Sequence, residues 1–464
     1  MMMQDMQDNA ALIGAEKVTG ERHVTLKEFI NRLASGMEVA ESRLQRELTQ
    51  RKRVDRRFSL REVGELFGVS EKYMGAVAQM PETERTFPAP EIVSGSGGRT
   101  YALQDLLLMR AHLQTQQYRK RPYLYWRQPG DPLRIVTFGA QKGGTGKSLS
   151  ASHFAQYLTL NYGLRVGVID CDPQATATLY FADADSEIHT DEAYTVAHFM
   201  GVDDPSSLED IERPVEEMDA MWQKSQWPGL RFIPGGGDIP YGDVSLFLLS
   251  KKGVVVPTIL RDAIRRWDEA YGPHTTYADL RREDGSFDTD RYQVALTETV
   301  DVIIIDQQPS LSFMQLNGLV AATSLIVPQT MKSFDLSTLS SYADNIREYL
   351  DLMPFDEEKP LGRHAVLPTI VQEANDRDVR QIADLWSREP DLFTQVWYSR
   401  SDAVANAADE FKSIYEYDAP RERRASARSF MKTANAVNDA LVDLAWNGAL
   451  PTKGHAQKFI EEKW

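Results

Sequence analysis

Cysteine and long apolar runs are the features that this sequence most clearly lacks. The 464 residues include one cysteine, Cys171, which excludes an internal disulfide, a cysteine zinc finger and a four-cysteine iron–sulfur cluster within one chain. No apolar run reaches the about 18 residues of a membrane-spanning helix. The first ten residues, MMMQDMQDNA, lack the basic and apolar regions of a signal peptide. We therefore expect a cytoplasmic protein.

Basic residues are also scarce, but unevenly so. The chain has 52 Lys and Arg against 68 Asp and Glu, a net charge of −16. Residues 1–130 nevertheless contain 20 basic and 16 acidic side chains. Within them, residues 43–61 contain eight basic and two acidic side chains. Such a basic run suits contact with nucleic-acid phosphates, although a solvated helix face has the same composition. Local basic patches, not the mean charge, decide whether DNA is attracted.

Apolar spacing and breaker residues divide the chain into segments. Leu26, Ile30, Leu33 and Met37 form a stripe that suits packing against another helix, of this or a second subunit. Pro and Gly residues cluster at 119–132. After this stretch, short β-branched apolar runs alternate with helical segments, which predicts an α/β fold with a mostly parallel, doubly wound sheet. The predicted segments are a disordered tail (1–20), a helical dimerisation and basic segment (21–57), a DNA-binding domain (58–118), a linker (119–133), a nucleotide-binding domain (134–450) and a C-terminal tail (451–464).

A glycine-rich loop between a strand and a helix carries the strongest functional signal. The residues GAQKGGTGKS at 139–148 would turn backbone N–H groups and a helix N-terminus toward phosphate oxygens. Lys147 would reach the β- and γ-phosphates, and the Ser148 hydroxyl would bind Mg²⁺. The predicted nucleotide-binding residues are Lys142, Gly143, Gly144, Thr145, Gly146, Lys147 and Ser148.

The form KGGTGKS resembles the deviant Walker A motif of the ParA/MinD group of P-loop ATPases. The resemblance implies ATP and Mg²⁺ as cofactors, and it implies that Lys142 acts in trans, on the nucleotide of a second subunit. A cation supplied in this way would make hydrolysis depend on dimer formation. Lys142 and Lys147 are therefore predicted to be catalytic.

Acidic residues follow two further predicted strands. Asp170 and Asp172 end the run VGVIDCD, and Asp306 ends VDVIIID, which puts all three at the sheet edge where ligands bind. The resemblance implies that Asp172 orients the attacking water, and that Asp170 and Asp306 join Ser148 around the metal. Acids at strand ends also serve simply as turn caps. Gln307 and Gln308 replace the small residue that usually follows the family's aspartate.

The segment FSLREVGELFGVSEKYMGAVAQ at 58–79 has the spacing of two short helices joined at Gly68, and it resembles a helix-turn-helix. Its second helix would present Ser70, Glu71, Lys72 and Tyr73 to DNA. The glycine-rich stretch that follows resembles the wing of MerR-like domains, with Arg99 as its basic residue. A plain helical hairpin is the alternative interpretation.

Together these features identify the chain as similar to the long type of ParA partition ATPase. The resemblance implies a nucleoid-associated homodimer that forms on ATP binding, binds DNA non-specifically, is stimulated by a ParB-like centromere-binding protein and represses its own operon. The predicted non-specific DNA contacts are Arg377, Arg380, Arg400 and Lys412.

Three alternatives follow from the same loop. A MinD-like membrane ATPase would end in a basic amphipathic helix, whereas Pro451 and Gly454 interrupt the end of this chain, so we expect no membrane partner. A nitrogenase-iron-protein-like reductase needs two cysteines per chain for a cluster that bridges its dimer. This chain has one cysteine, which excludes that alternative. A DNA-binding regulator that uses ATP as a switch, with little turnover, stays open because of Gln307 and Gln308.

Overall fold

The computed structural model describes residues 25–33, 35, 56–93, 97–115, 122–183, 185–188, 193–209, 211–374, 376–410, 412–417 and 419–464. The chain divides into two units, Met1–Arg51 and Lys52–Trp464. The predicted tail at 1–20 and most of the basic run at 43–61 lie outside the described residues. In the first unit, residues 26–33 are helical, and Leu26, Ile30 and Leu33 are exposed; Met37 is not described.

The second unit begins with a small antiparallel sheet and three helices. Among the described residues the sheet has the order β1-β3-β2. Ser59 starts the first helix through a capping box with Glu62, Gly68 ends it at φ 63°, and Ser70 caps the second, so local caps define the two helices that the spacing predicts. The elements are β1 (Phe58–Ser59), α1 (Leu60–Phe67), α2 (Glu71–Val77), β2 (Glu91–Ile92), β3 (Arg99–Tyr101) and α3 (Leu103–Thr115).

The described part of the predicted linker, residues 122–133, is a packed strap. Tyr123, Leu124 and Trp126 are buried, and the fully buried Arg110 of α3 donates to the carbonyls of Tyr123 (2.9 Å) and Leu160 (2.9 Å). The prolines exclude a helix here, as predicted, but the aromatic side chains have apolar partners on both sides. Residues 58–115 therefore belong to the same compact unit as the main sheet, and these strap residues join the two parts instead of separating them.

Within the described residues the main sheet has seven strands in the order β10-β9-β4-β8-β5-β7-β6. Every pair is parallel except β6 with β7, which confirms the predicted mostly parallel α/β sheet. The strands are β4 (Arg134–Phe138), β5 (Val166–Cys171), β6 (Gln223–Lys224), β7 (Leu230–Ile233), β8 (Val302–Gln307), β9 (Ser324–Thr330) and β10 (Ala365–Thr369).

Helices cover both faces of this sheet. They are α4 (Lys147–Tyr162), α5 (Thr178–Phe181), α6 (Val196–Phe199), α7 (Val215–Ala220), α8 (Ile239–Lys251), α9 (Ile259–Tyr271), α10 (Thr289–Glu298), α11 (Phe313–Val320), α12 (Ser333–Leu352), α13 (Asp376–Arg388), α14 (Asp402–Asp409), α15 (Arg424–Trp446) and α16 (His455–Lys463), with a 3₁₀ turn at Val256–Thr258. Trp222 and Trp267 are buried in a large core cluster.

The last residues form a docked helix where the sequence predicts a tail. The ring of Phe459 in α16 packs edge-on against Trp397, with centroids 4.7 Å apart, and it is 6% exposed. Gly454, at φ 77°, precedes the helix, so the glycine that suggested an interruption marks where the helix begins. In the described part of the chain, no helix combines the length and the apolar character needed to cross a bilayer.

Candidate nucleotide-binding site

The glycine-rich loop lies at the carboxyl end of β4, between β8 and β9. Gly144 and Gly146 adopt φ values of 74° and 85°, which disfavour any residue with a Cβ. Apart from their chain neighbours, no described residue has an atom within 4 Å of the position that a Cβ would occupy on Gly143, Gly144 or Gly146. The loop is therefore an open cradle of backbone that leads into helix α4 at Lys147, the arrangement that binds phosphate.

Lys147 points inward from this loop. The residue is 6% exposed, and its Nζ lies 3.3 Å from the carbonyl oxygen of Lys142. Burial lowers the pKa of its ammonium, and the charges of Asp306 and Asp172 oppose that shift. A cation is thus held next to the carboxylates at the mouth of the cradle, where a phosphate chain would give it a further partner.

Asp306, near the end of β8, is fully buried, and among the described residues neither of its carboxylate oxygens has a hydrogen-bond partner. Burial and then the charge of Asp170 raise its pKa well above the ordinary value, whereas the Ser148 hydroxyl and Lys147 act in the opposite direction. An orphaned buried carboxylate is costly unless a cation completes it. Asp306 and Ser148 therefore fit the hard oxygen ligands that Mg²⁺ prefers.

Protein ligands to such a metal would be few. The described residues contain no cluster of three or more His, Cys, Asp and Glu side chains able to hold a metal by themselves. Mg²⁺ commonly takes one or two protein ligands and completes its shell with phosphates and water. The pair Ser148 and Asp306 matches that pattern.

Asp170 and Asp172 lie at the end of β5 in different environments. The Asp170 carboxylate is buried and accepts bonds from the N–H of Asp172 (3.0 Å) and from the N–H and hydroxyl of Thr178 (both 2.8 Å). Burial raises its pKa to about 6. Asp172 is partly exposed, and its carboxylate accepts the N–H of Gln174 at 2.9 Å. Asp170 thus holds the turn that presents Asp172, and a metal would have to compete with Thr178 for it.

Lys142 points the other way. Its ammonium is paired with the carboxylate of Asp335 in helix α12. The same carboxylate also accepts a hydrogen bond from the hydroxyl of Thr330. The Lys142 side chain is 40% exposed and the Asp335 side chain 4%. Burial alone would raise the pKa of Asp335, but the bonds from Lys142 and Thr330 hold it below the ordinary value. The second lysine of the loop is therefore bound within its own chain.

Gln307 and Gln308 follow Asp306 directly and contact the segments that pack behind the site. Gln307 is fully buried and packs on Gly318, where a Cβ would lie 1.6 Å from its Nε2. The Gln308 amide donates to the Ser312 hydroxyl at 2.7 Å and to Asp243 of α8 at 3.4 Å. Both side chains therefore serve the packing behind the site. Asp243, Thr178 and Asp335 carry no motif, and sequence reasoning did not find them.

Residues 136–454 match the model of the CobQ/CobB/MinD/ParA nucleotide binding domain. The chain belongs to this family. The family expected from the KGGTGKS loop is thereby confirmed, including nucleotide binding as the family's common property.

Individual relatives are more distant. The chain is 23% identical over 398 residues to the putative replication protein A of Sinorhizobium fredii, over 85% of this chain and 87% of that protein. It is 24% identical over 307 residues to the chromosome partitioning protein ParA of Caulobacter vibrioides, over 66% of this chain and 94% of that one. A solved partition protein, 19% identical, has a TM-score of 0.48 and covers 86% of this chain and 99% of that one.

In this family member the predicted operator-contacting residues lie on the small N-terminal sheet and helices. Ser70, Glu71 and Lys72 are exposed at the start of α2, and Tyr73 is half-buried. The Ser70 hydroxyl accepts the N–H of Tyr73 at 3.2 Å, so it already caps the helix. Arg99 is exposed on β3. The structure therefore brings Glu71 and Lys72 to one helix end and leaves them open to solvent.

The four predicted non-specific DNA contacts do not form one surface cluster of unpaired cations. Arg380 is paired with Asp376 at 3.1 Å and Lys412 with Glu410 at 2.7 Å. Arg377 donates to the Ser333 hydroxyl at 2.8 Å, and with Arg400 it lines a cavity of about 480 Å³ beside the glycine-rich loop. These two arginines therefore belong to the surroundings of the nucleotide site.

A different basic surface lies at the start of helix α15. In this part of the described chain, RERRASARSFMK at 421–432, five cations are accompanied by one acid, and all five are exposed. Within the described residues only one of them forms an ion pair, Lys432 with Glu462 at 3.4 Å. We call this set the basic helix face: Arg421, Arg423, Arg424, Arg428 and Lys432. Its sequence signal is a short Arg cluster in the part of the chain after residue 130, where acidic residues otherwise predominate.

Proposed function

We propose that this chain is a DNA partition ATPase that binds Mg²⁺ and ATP, dimerises on ATP binding and hydrolyses ATP in the dimer. The observation that carries the proposal is the buried, partnerless carboxylate of Asp306 beside Ser148 and Lys147, at the mouth of the KGGTGKS cradle. A metal–phosphate ligand would satisfy all three groups at once. The partition role is supported by relatives that are named for chromosome partitioning.

The residues of the chain divide the work of hydrolysis. Backbone N–H groups from Gly143 to Ser148 would bind the phosphates, and Lys147 would offset charge on the transferring group. Asp172, whose N–H donates to Asp170 and whose side chain is partly exposed, would orient a water molecule. Ser148 and Asp306 would hold Mg²⁺, which when bound would neutralise phosphate charge. Lys142 would complete the site of a second subunit.

DNA binding is assigned to two surfaces with different tasks. The basic helix face would contact DNA phosphates without reading sequence, because five exposed cations lie within twelve residues and acids are almost absent there. The module of α1, α2 and the β1-β3-β2 sheet would bind an operator through Glu71, Lys72 and Arg99, and so repress the chain's own operon. A ParB-like protein would stimulate hydrolysis and so release the non-specific complex. The protein would then reside on the nucleoid in the cytoplasm.

The decisive experiment measures binding to random-sequence duplex DNA at fixed salt with no nucleotide, ADP, ATP or a slowly hydrolysed ATP analogue. Fixed salt is necessary because phosphate contacts weaken steeply as salt rises. We expect binding only with ATP or the analogue, and we expect a ParB-like partner to shorten the lifetime of the complex with ATP but not with the analogue. Equal binding in all four conditions would refute the switch.

A transcription regulator that uses ATP without appreciable turnover is the second candidate. The observation in its favour is Gln308, whose buried amide donates to Ser312, just before α11, and to Asp243 of α8, while the neighbouring Gln307 packs on Gly318 of α11. A strand end that is fastened in this way would resist the rearrangement that turnover requires. Turnover stimulated by DNA and partner, and abolished by Lys147→Ala, would exclude this candidate.

A further inference from the structure

Helix α12 contributes an acidic side chain to the outer face of the glycine-rich loop. Of its twenty residues only Asp335 and Tyr342 are buried. The buried Tyr342 packs close to Gly139, where the loop begins: its hydroxyl would lie 3.5 Å from a Cβ added to that glycine. The Gln329 amide donates to the Asp335 carbonyl at 2.8 Å. Gln329 thus holds the Asp335 backbone, and Thr330 of β9 together with Lys142 of the loop holds its carboxylate.

The two partners of the Lys142–Asp335 pair differ in freedom. Asp335 has Thr330 as its other side-chain donor and is almost fully enclosed, whereas the Lys142 side chain is 40% exposed beside the ring of Phe334, itself 74% exposed. Lys142 can therefore swing out into solvent, but Asp335 cannot follow it. When the ammonium leaves, the enclosed carboxylate loses the one cation that hydrogen-bonds to it within the described residues and keeps only the Coulombic attraction of Lys332 and the bond from Thr330, which is unfavourable.

We propose that Asp335 is a positioning residue that holds Lys142 within its own subunit until the nucleotide of a second subunit competes for the ammonium. This inference rests on the proposed function, because it takes the second subunit's phosphates as the competing anion. The ion pair is lost when the dimer forms, so it weakens dimerisation. It also ensures that only a subunit loaded with a highly charged nucleotide can recruit the lysine.

The test compares dimer formation of the full chain and of Asp335→Asn across protein concentrations, with the slowly hydrolysed ATP analogue and Mg²⁺. Analytical ultracentrifugation gives the midpoint concentration. Without the competing carboxylate we expect Asp335→Asn to dimerise at a roughly tenfold lower concentration. Asp335→Glu keeps the charge and should behave much like the original chain. Asp335→Ser provides a second uncharged variant should the asparagine variant fold poorly, and it should show the same shift.

A Lys142→Met background shows whether Asp335 acts through the lysine. There we expect little or no dimer at any concentration, because the lysine that completes the second subunit's site is gone, and Asp335→Asn should not restore it because the ion pair is already absent; a dimer that Asp335→Asn strengthens in this background would overturn the proposal. Asp378→Asn is the matched control, since it removes an equal charge from the same cavity without touching Lys142. An unchanged or higher midpoint for Asp335→Asn also overturns the inference. If the unaltered chain stays monomeric with the analogue, the proposed function itself has failed.

Discussion

Lys147 and Lys142 belong to one loop but lie in opposite environments. Lys147 is buried among carboxylates of its own chain, whereas Lys142 lies on the outer face beside an exposed phenylalanine and is paired with α12. Under the proposed function, the inner face therefore has the groups with which a subunit would bind its own nucleotide. The outer face has a charge that is available for exchange. The difference suggests that binding and dimerisation can be separated by mutation, and the following predictions test that separation.

Lys147→Ala should have the largest effect. Its ammonium is enclosed beside Asp306 and Asp172, and its loss leaves a phosphate chain without the nearest protein cation. We expect turnover to fall on the order of 1000-fold, with weaker ATP binding as well. Isothermal titration with ATP and a steady-state phosphate assay check this. Lys251→Ala is the control, because that lysine is exposed at the end of α8 and lies outside the glycine-rich loop. Near-normal turnover of Lys147→Ala would contradict the inner-face assignment.

Asp172→Ala should separate chemistry from binding. The side chain is partly exposed at the site mouth and accepts only a local N–H within the described residues, so its loss disturbs the fold little. We expect turnover to fall about 100-fold because the attacking water is no longer oriented. ATP affinity and analogue-dependent dimerisation should stay close to normal. Turnover equal to that of the unaltered chain would show that Asp172 does not position the water.

Neutralising the basic helix face should weaken DNA binding without touching the nucleotide site. Arg424→Gln with Arg428→Gln removes two exposed charges that make no ion pair in the described structure. We expect about tenfold weaker binding to random DNA, and a salt slope that is smaller by about two. Arg380→Gln is the matched control, because that arginine is already paired with Asp376. A larger loss of DNA affinity for Arg380→Gln would instead favour the non-specific DNA contacts predicted from the sequence, to which Arg380 belongs.

Sequence reasoning predicted the parts of the molecule that depend on local pattern. The KGGTGKS loop, the acids at the ends of β5 and β8, and the helix pair at 60–77 each follow from residues close together in the chain. Asp335 and Asp243 could not be predicted, because their roles depend on partners nearly two hundred and about seventy residues away. The predicted linker and tail differ from the structure for a related reason. Prolines and glycines show where a helix stops, but not whether Trp126 or Phe459 then finds an apolar partner.

The smallest expected effect concerns stability at the inner face. Burial raises the pKa of Asp306 in the folded state. Folding therefore favours the protonated acid, and the free energy of unfolding falls as the pH rises above the pKa that Asp306 has in the unfolded chain. Asp306→Asn removes this penalty and should raise Tm at pH 7.5 by about 2 °C without nucleotide. The advantage should shrink toward pH 4, where the acid is already neutral. With Mg²⁺ and ATP the order should reverse, because only the carboxylate can serve the metal. Differential scanning calorimetry at both pH values checks this, and a variant that melts lower at pH 7.5 without nucleotide would show that the orphaned carboxylate carries no cost.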